Sequence, residues 1–327
     1  MPIPIDTRAA ADLSPRLDEA LTLVVYEFDG LDGDRQYRNA FARVLKPDPL
    51  QRVPMLGTDQ RDLFAPVVRK LVSATVPPRG HLLDLGGGDG QTFALLADRF
   101  PERTRVSVLE PNAGYAEDYL RYLRTQAHLD AGSVMVTGFD RVDACEPPPP
   151  PDGSVDLVLA VHMLYFLADP RAALVRMARF LKPGGALCVV VADETHGYTG
   201  RSLGAFLDCG GAAPSGVRPA TVAERESLVA GALPDLLAAA LPGAEFEFDS
   251  DRQPSRLYGH TLADVIALSG IAELAGVEGT DKFGAAADLL RRTPEAVDLR
   301  IEDDGPRKGM WSVAQPQYLA VLRRADL

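Results

Sequence analysis

Apolar residues recur at three- and four-residue spacing near the start of the chain. The spacing and the cap-forming residues ahead of it predict three amphipathic helices, over Ser14 to Phe28, Asp34 to Leu45 and Thr58 to Ser73. In the second, Tyr37, Phe41, Val44 and Leu45 share one face. The proline-rich "KPDPLQRVP" between the second and third reads as a loop. From His81 the period changes to short apolar runs separated by helical patterns: "HLLDL", a helix from about Gln91, "RVSVLE", a helix over Tyr115 to Ala127, "SVMVTG", "SVDLVLAV", a helix over Pro170 to Phe180, and "ALCVVVAD". This alternation implies a parallel sheet with helices on both faces, whose ligands bind at the carboxyl ends of the strands.

Beyond Asp193 comes a glycine-rich stretch, "THGYTGRSLGAFLDCGGAAPSG", and then helical pattern over Val222 to Ala240. "AEFEFDSDRQ" and "PQYLAVLRR" alternate like strands and close the sheet, with helices over Leu262 to Leu268 and Phe283 to Arg292 between them. The expected architecture is α/β: a Rossmann-like, doubly wound, mostly parallel seven-stranded sheet. Residues 1–80 would form a helical cover, and residues 81–327 a core with a helical insertion at about 195–243. Gly197, Gly200, Gly204, Gly210 and Gly211 make residues 195–215 either a mobile lid or a plain surface loop. The run Pro147 to Pro151 reads as an exposed extended connector.

Composition narrows the function. The 327 residues are 46% hydrophobic, enough for one large or two small cores. With 34 Lys and Arg against 46 Asp and Glu, the net charge of -12 argues against nucleic acid and anionic membranes and for a small, neutral or cationic substrate. Cys145, Cys188 and Cys209 make no Cys-x-x-Cys pair and no metal-ligand spacing, which suits a reduced compartment. No stretch reads as a signal peptide or membrane span, so a cytoplasmic location is expected.

The candidate chemistry begins at Gly86, Gly88 and Gly90. Their G-x-G-x-G spacing lets the backbone turn sharply after a strand and approach a ligand closely. The following helix would aim free N–H groups at that ligand. A plain strand-to-helix turn is the alternative. Glu110 ends the second strand, where a carboxylate accepts hydrogen bonds from ribose hydroxyls. Asp84 is placed to meet a charged amino acid moiety, or to cap a loop. A dinucleotide site wants G-x-G-x-x-G, and here Gln91 holds the sixth position.

The stretches "LLDLGGGDG", "VSVLEPN", "PPDGSVDLVLAVHML" and "ALVRMARFLKPGGALCVVV" resemble, in order, the motifs of class I S-adenosylmethionine-dependent methyltransferases. The resemblance implies S-adenosylmethionine as cofactor and S-adenosylhomocysteine as product. It places Asp84, Gly86 and Gly88 around the methionine part, Glu110 on the ribose and Asn112 beside the adenosine. Phe139 and Asp140 would lie at the adenine, with Asp143 a competing register, and Val161 and His162 on the floor beside the sulfonium. More narrowly, "LGGGDGQ", "VLEPNAGYAEDYLRYL" and "HMLYFLADPRAALVRMARFL" resemble the histamine N-methyltransferase family, over a span from about Tyr37 to the C-terminus.

That family implies a metal-free monomer, or at most a weak dimer, enclosing a small imidazole amine in an aromatic pocket. Its wall would here be Tyr37, Phe41, Tyr165, Phe166 and Tyr198, although Tyr37 and Phe41 also suit plain helix packing. The acidic residue for the substrate amine appears as Asp59, one methylene short, or else Asp59 is only a turn residue after Thr58. The amide near the last strand appears as Gln315 instead of asparagine. His162 would take a proton from the nucleophile, hydrogen-bond it, or be a core histidine satisfied by carbonyls; His196 is a weaker substrate contact. The expected reaction is methyl transfer to a nitrogen of a small amine or imidazole-type metabolite. Alternatives are transfer to oxygen or carbon, a non-catalytic S-adenosylmethionine binder, and a nicotinamide dehydrogenase, which the glycine spacing disfavours.

Overall fold

In the computed structural model, residues 13–44, 57–212, 219–275 and 277–325 are described; the loop expected at residues 46–54 lies outside them. The strands are β1 (His81–Leu85), β2 (Thr104–Leu109), β3 (Leu129–Met135), β4 (Val155–Val161), β5 (Leu181–Ala192), β6 (Phe246–Gln253), β7 (Arg256–Gly259), β8 (Arg300–Ile301), β9 (Trp311–Ala314) and β10 (Gln317–Arg324). The α-helices are α1 (Leu13–Phe28), α2 (Gly33–Val44), α3 (Ala65–Thr75), α4 (Gln91–Ala94), α5 (Ala113–Arg124), α6 (Pro170–Arg179), α7 (Tyr198–Asp208), α8 (Pro219–Ser227), α9 (Leu233–Ala240), α10 (Leu262–Ala267) and α11 (Asp281–Arg292).

Seven strands make the main sheet in the order β3-β2-β1-β4-β5-β10-β6. The first five are mutually parallel, and β10 runs antiparallel between β5 and β6. Strand β1 is central because it is apolar on both faces. Successive side chains of a strand point to opposite sides. Leu82 therefore joins the layer of α3, α4 and α5 with Val68, Phe93 and Tyr119, while Leu83 joins the layer of α6 and α9 with Leu174, Met177 and Leu233. The strand order reverses between β1 and β4, which opens a crevice at their carboxyl ends. The expected doubly wound, seven-stranded α/β fold is what forms.

The cover differs from the N-terminal helical layer expected at residues 1–80. Helices α1 and α2 share one core with α10 and α11, where Leu17, Val24, Phe28, Val265, Ile266, Phe283 and Leu290 are buried together. A second sheet, β7-β9-β8, completes this cap. It interrupts the chain between β6 and its neighbour β10, so the cap is assembled from both ends of the sequence. Strands as short as "WSVA" and "RI" carry too few residues to show a period, which is why the sequence pattern missed them.

The glycine-rich stretch also differs. Residues 198–208 are helix α7, with Tyr198, Thr199, Ser202, Leu203 and Phe206 buried. Gly200 serves close packing: a Cβ there would collide with the carbonyl oxygen of Glu194. Glu194 is itself paired with Arg225 of α8, both side chains fully buried. The stretch expected as a lid or loop is thus largely a packed helix. The proline run is likewise no exposed connector throughout, since Pro150 is buried.

Candidate active site

The tips of β1, β2 and β4 bring the glycine run, Glu110 and His162 to one place. Gly86 N–H bonds to the Leu109 carbonyl at 2.7 Å, tying the loop to β2. Gly86 and Gly88 both have left-handed backbone, with φ of 67° and 58°. A Cβ on Gly86 would sit 2.7 Å from Met163 Cβ, whereas one on Gly88 would meet nothing within 4 Å. Gly86 is therefore needed by the fold, and Gly88 faces open space.

Glu110 organises that space. Its Oε2 accepts the Gly88 N–H and its Oε1 the Asn112 N–H, each at 2.9 Å. Each carboxylate oxygen has a second lone pair left for a ligand hydroxyl. Burial pushes the Glu110 carboxyl above its ordinary value, against the pull of these two N–H groups. Asp84 is buried below the loop and accepts the Tyr119 hydroxyl at 2.8 Å. Burial pushes its carboxyl up to about 7. Tyr119, which sequence reasoning did not single out, also stacks on Phe93 at 5.3 Å; nothing in "EDYLRYL" distinguishes it from an ordinary packing residue.

Asn112 caps α5, its Oδ1 accepting from the N–H groups of Gly114 and Tyr115. Phe139 is buried in the core, and Asp140 is exposed near the Arg141 guanidinium at 4.0 Å. The competing Asp143 is held by Arg176 at 2.6 Å, which keeps its carboxyl below the usual range. Of the two acidic residues, Asp140 has the less engaged carboxylate.

Four of the five expected aromatic residues form a continuous group. Tyr37 stacks on Phe41 at 5.5 Å and meets Phe166 edge-on at 6.0 Å; Phe166 meets Tyr165 at 6.2 Å, and Tyr165 lies parallel to His162 at 6.1 Å. Phe166 is 54% exposed, a large apolar ring left open at the crevice. Tyr37 lies near Tyr115, Glu110 and Asp89, and burial with these neighbours raises its hydroxyl well above the ordinary value. Tyr198 stands apart: it is fully buried in the cap, donating its hydroxyl to the Val265 carbonyl at 2.9 Å.

His162, at φ 53° just after β4, has both ring nitrogens engaged. Nδ1 faces the Tyr165 hydroxyl at 2.9 Å and Nε2 the Gln60 amide at 2.6 Å. The Tyr165 oxygen also accepts the Ala192 N–H. The Gln60 amide N–H donates to Nε2, so the ring proton sits on Nδ1 and is donated to the Tyr165 oxygen. Burial pushes the imidazole down to about 4, with an opposing hydrogen bond from Gln317, so the ring is neutral at pH 7. The partners are side chains, not the backbone carbonyls of the core alternative. Gln60 and Gln317 carried no sequence signal, because their meeting with His162 depends on chain segments far apart.

Two further expectations meet a different structure. Asp59 is buried and committed within the protein: Tyr258 donates to it at 2.9 and 3.0 Å, the Arg256 N–H at 2.8 Å, and the Arg307 guanidinium stands at 3.2 Å. Gln315 is buried too, its Oε1 accepting the Thr199 N–H at 2.8 Å, so it fastens the start of α7. His196 is held through Nδ1 by Asp193, the residue that follows β5. Among the described residues no cluster of His, Cys, Asp and Glu could hold a metal ion, and no helix is long and apolar enough to cross a membrane.

Residues 83–189 match a family model described as a methyltransferase domain. The chain is similar to the biotin biosynthesis bifunctional protein BioCD of Bordetella avium, 25% identical over 82% of this chain and 44% of that protein. It is also similar to the ubiquinone/menaquinone biosynthesis C-methyltransferase UbiE of Xanthomonas oryzae pv. oryzae, 34% identical over 38% of this chain and 47% of that protein. The chain thus spans about half the length of these curated relatives. Among solved structures, a Bacillus halodurans protein provisionally described as a methyltransferase superposes with a TM-score of 0.50 at 14% identity, covering 80% of this chain and 98% of that one. The last comparison shows the fold; the family model puts a methyltransferase domain on the strands that build the crevice, in keeping with the S-adenosylmethionine expected from the motifs.

Proposed function

We propose that this protein transfers the methyl group of S-adenosylmethionine to a nitrogen of a small, flat acceptor that arrives uncharged, a ring nitrogen of imidazole type first among the candidates. The observation that carries this reading is the aromatic group Phe41–Tyr37–Phe166–Tyr165, which runs from the cap to the tip of β4 beside the glycine loop. Such faces suit a flat acceptor through dispersion contact.

The residues fit the cofactor. Gly88 leaves room beside the carboxylate of Glu110, and the Asp84 carboxyl lies below the loop where an ammonium group would be met. When bound, the cofactor supplies a methyl group already made electrophilic by the sulfonium. The chain's task is then alignment, and effective molarities on the order of 10⁵ M or more are available to a well-held pair. Glu110 and the loop would fix the adenosyl end, and Tyr37, Phe166 and Tyr165 the acceptor. Neither Asp59 nor His162 has an uncommitted atom to take a proton. An acceptor that must lose a proton before attack is therefore disfavoured, and a free alkylammonium, with its pKa near about 10, is a poor substrate.

Labelled cofactor tested against imidazoles, alkylamines, phenols and carboxylates checks the reading. Transfer to neutral ring nitrogens is the expected result. Label found only on oxygen or carbon overturns the acceptor class and leaves the methyltransferase standing.

The two loop glycines separate fold from binding. Gly86→Ala is expected to cost about 1–3 kcal/mol of stability from the left-handed backbone and the Met163 contact. Gly88→Ala should cost only the backbone part, about 1–2 kcal/mol, and instead weaken S-adenosylhomocysteine binding about tenfold or more, because its methyl group enters the crevice. Thermal unfolding and calorimetry measure both.

Asp84 sets a pH dependence. Its folded value, about 7, lies above that of an unfolded aspartate, so its contribution to the stability of the free protein is complete below about pH 4 and lost as pH rises through about 7. A ligand ammonium favours the ionised carboxyl, so binding below pH 7 must release a proton. Affinity for S-adenosylhomocysteine is expected to fall about tenfold per pH unit on going below about 7. Calorimetry in buffers of different ionisation enthalpy reads the proton directly, and a flat profile between pH 5.5 and 7 would remove Asp84 from the ligand.

A further inference from the structure

A groove of about 1100 Å³ lies at the end of the sheet opposite the glycine loop. It is formed where the parallel strands begin: Arg79 precedes β1 and His81 opens it, Arg103 precedes β2 and Arg105 is its second residue, and Lys182 stands at the start of β5. The run Pro148 to Pro151 makes one wall. With Pro150 buried, this wall is anchored, and proline rings fix its backbone further.

The charges of the groove run against those of the protein. Arg103 pairs with Asp130 at 3.0 Å and Lys182 with Asp156 at 2.8 Å. Arg79 and Arg105 make no ion pair and no side-chain hydrogen bond among the described residues. Two guanidinium groups are thus left uncompensated in one concavity of a chain whose net charge is -12. Beside them, His81 is held below its ordinary pKa by burial and by Arg105 and Lys182, so it adds no positive charge at pH 7. Arg79 and Arg105 are exposed, and with Arg103 and Lys182 offset by Asp130 and Asp156 the net charge of the groove is positive, which draws an anion toward it.

We propose that this groove binds a compact phosphate-class anion carrying about two negative charges, separately from the crevice that serves methyl transfer. Two forked guanidinium groups match paired oxyanions and supply charge for two. The volume leaves room for an organic group attached to the phosphate. Two uncompensated arginines are too few for the run of phosphates along a nucleic acid.

The test uses the full chain and inorganic pyrophosphate as probe, titrated by calorimetry at low ionic strength, with citrate and a single-stranded oligonucleotide as comparison probes. The variant Arg79→Ala/Arg105→Ala is set against Arg99→Ala/Arg292→Ala, which removes the same charge from exposed positions elsewhere. Saturable pyrophosphate binding is expected, weakened about tenfold or more in the groove variant and unchanged in the control. S-adenosylhomocysteine affinity should stay the same in both, which separates loss of this site from misfolding. Equal weakening in the two variants, no saturation below about 10 mM, or tighter binding of citrate or the oligonucleotide than of pyrophosphate would overturn the assignment.

Discussion

Glu110→Ala is expected to weaken S-adenosylhomocysteine binding by about 100-fold, the largest effect on binding of any single substitution at the site. Hydrogen bonds to a charged group contribute about 1.5–3 kcal/mol each. The alanine variant removes the carboxylate proposed to meet the ribose and also the acceptor that holds Gly88 N–H and Asn112 N–H in place. Glu110→Gln keeps one good acceptor and should lose only about tenfold. The protein should remain folded, because burial already opposes ionisation of this carboxyl and its removal relieves that cost. Calorimetry with S-adenosylhomocysteine and a thermal melt measure the two quantities. Undiminished affinity in the alanine variant would take the adenosyl group out of the crevice altogether.

Asp59→Ala is expected to have the largest effect on stability, about 3 kcal/mol, lowering Tm by on the order of 5–10 °C. The buried carboxylate receives Tyr258, the Arg256 N–H and Arg307, and its loss takes one carboxylate from an Arg307 side chain that is only 11% exposed. Cofactor affinity should change little. Had Asp59 faced an amine substrate, the variant would instead keep its stability and raise KM. Chemical denaturation set beside acceptor kinetics separates the outcomes, and an unchanged midpoint would return Asp59 to the substrate.

Asp59 also shows why part of the site was hidden. Its environment is made by Tyr258 and Arg307, about two hundred and two hundred and fifty positions along the chain. A turn residue after Thr58 and a buried hub of three segments look the same when only neighbours in sequence are visible. Tyr198 and Gln315 were misplaced for the same reason: each is polar and near glycine or proline, which suggests a loop, yet both are buried by helix packing. Tyr165 and Phe166, by contrast, directly follow a strand that ends at the crevice, and little chain is left between strand and site to carry them elsewhere.

The sheet, the glycine turn and the carboxylate at the tip of β2 were determined by the sequence alone. Strand period, turn glycines and strand ends are local properties, set by backbone sterics over a few residues. Only the tertiary structure decided that the cap is shared between the two ends of the chain, that the aromatic rings meet while Tyr198 does not, and that the imidazole of His162 is neutral and already bound on both nitrogens. Those outcomes depend on which distant surfaces exclude water from one another, and burial of that kind leaves no periodic trace in the residues that undergo it.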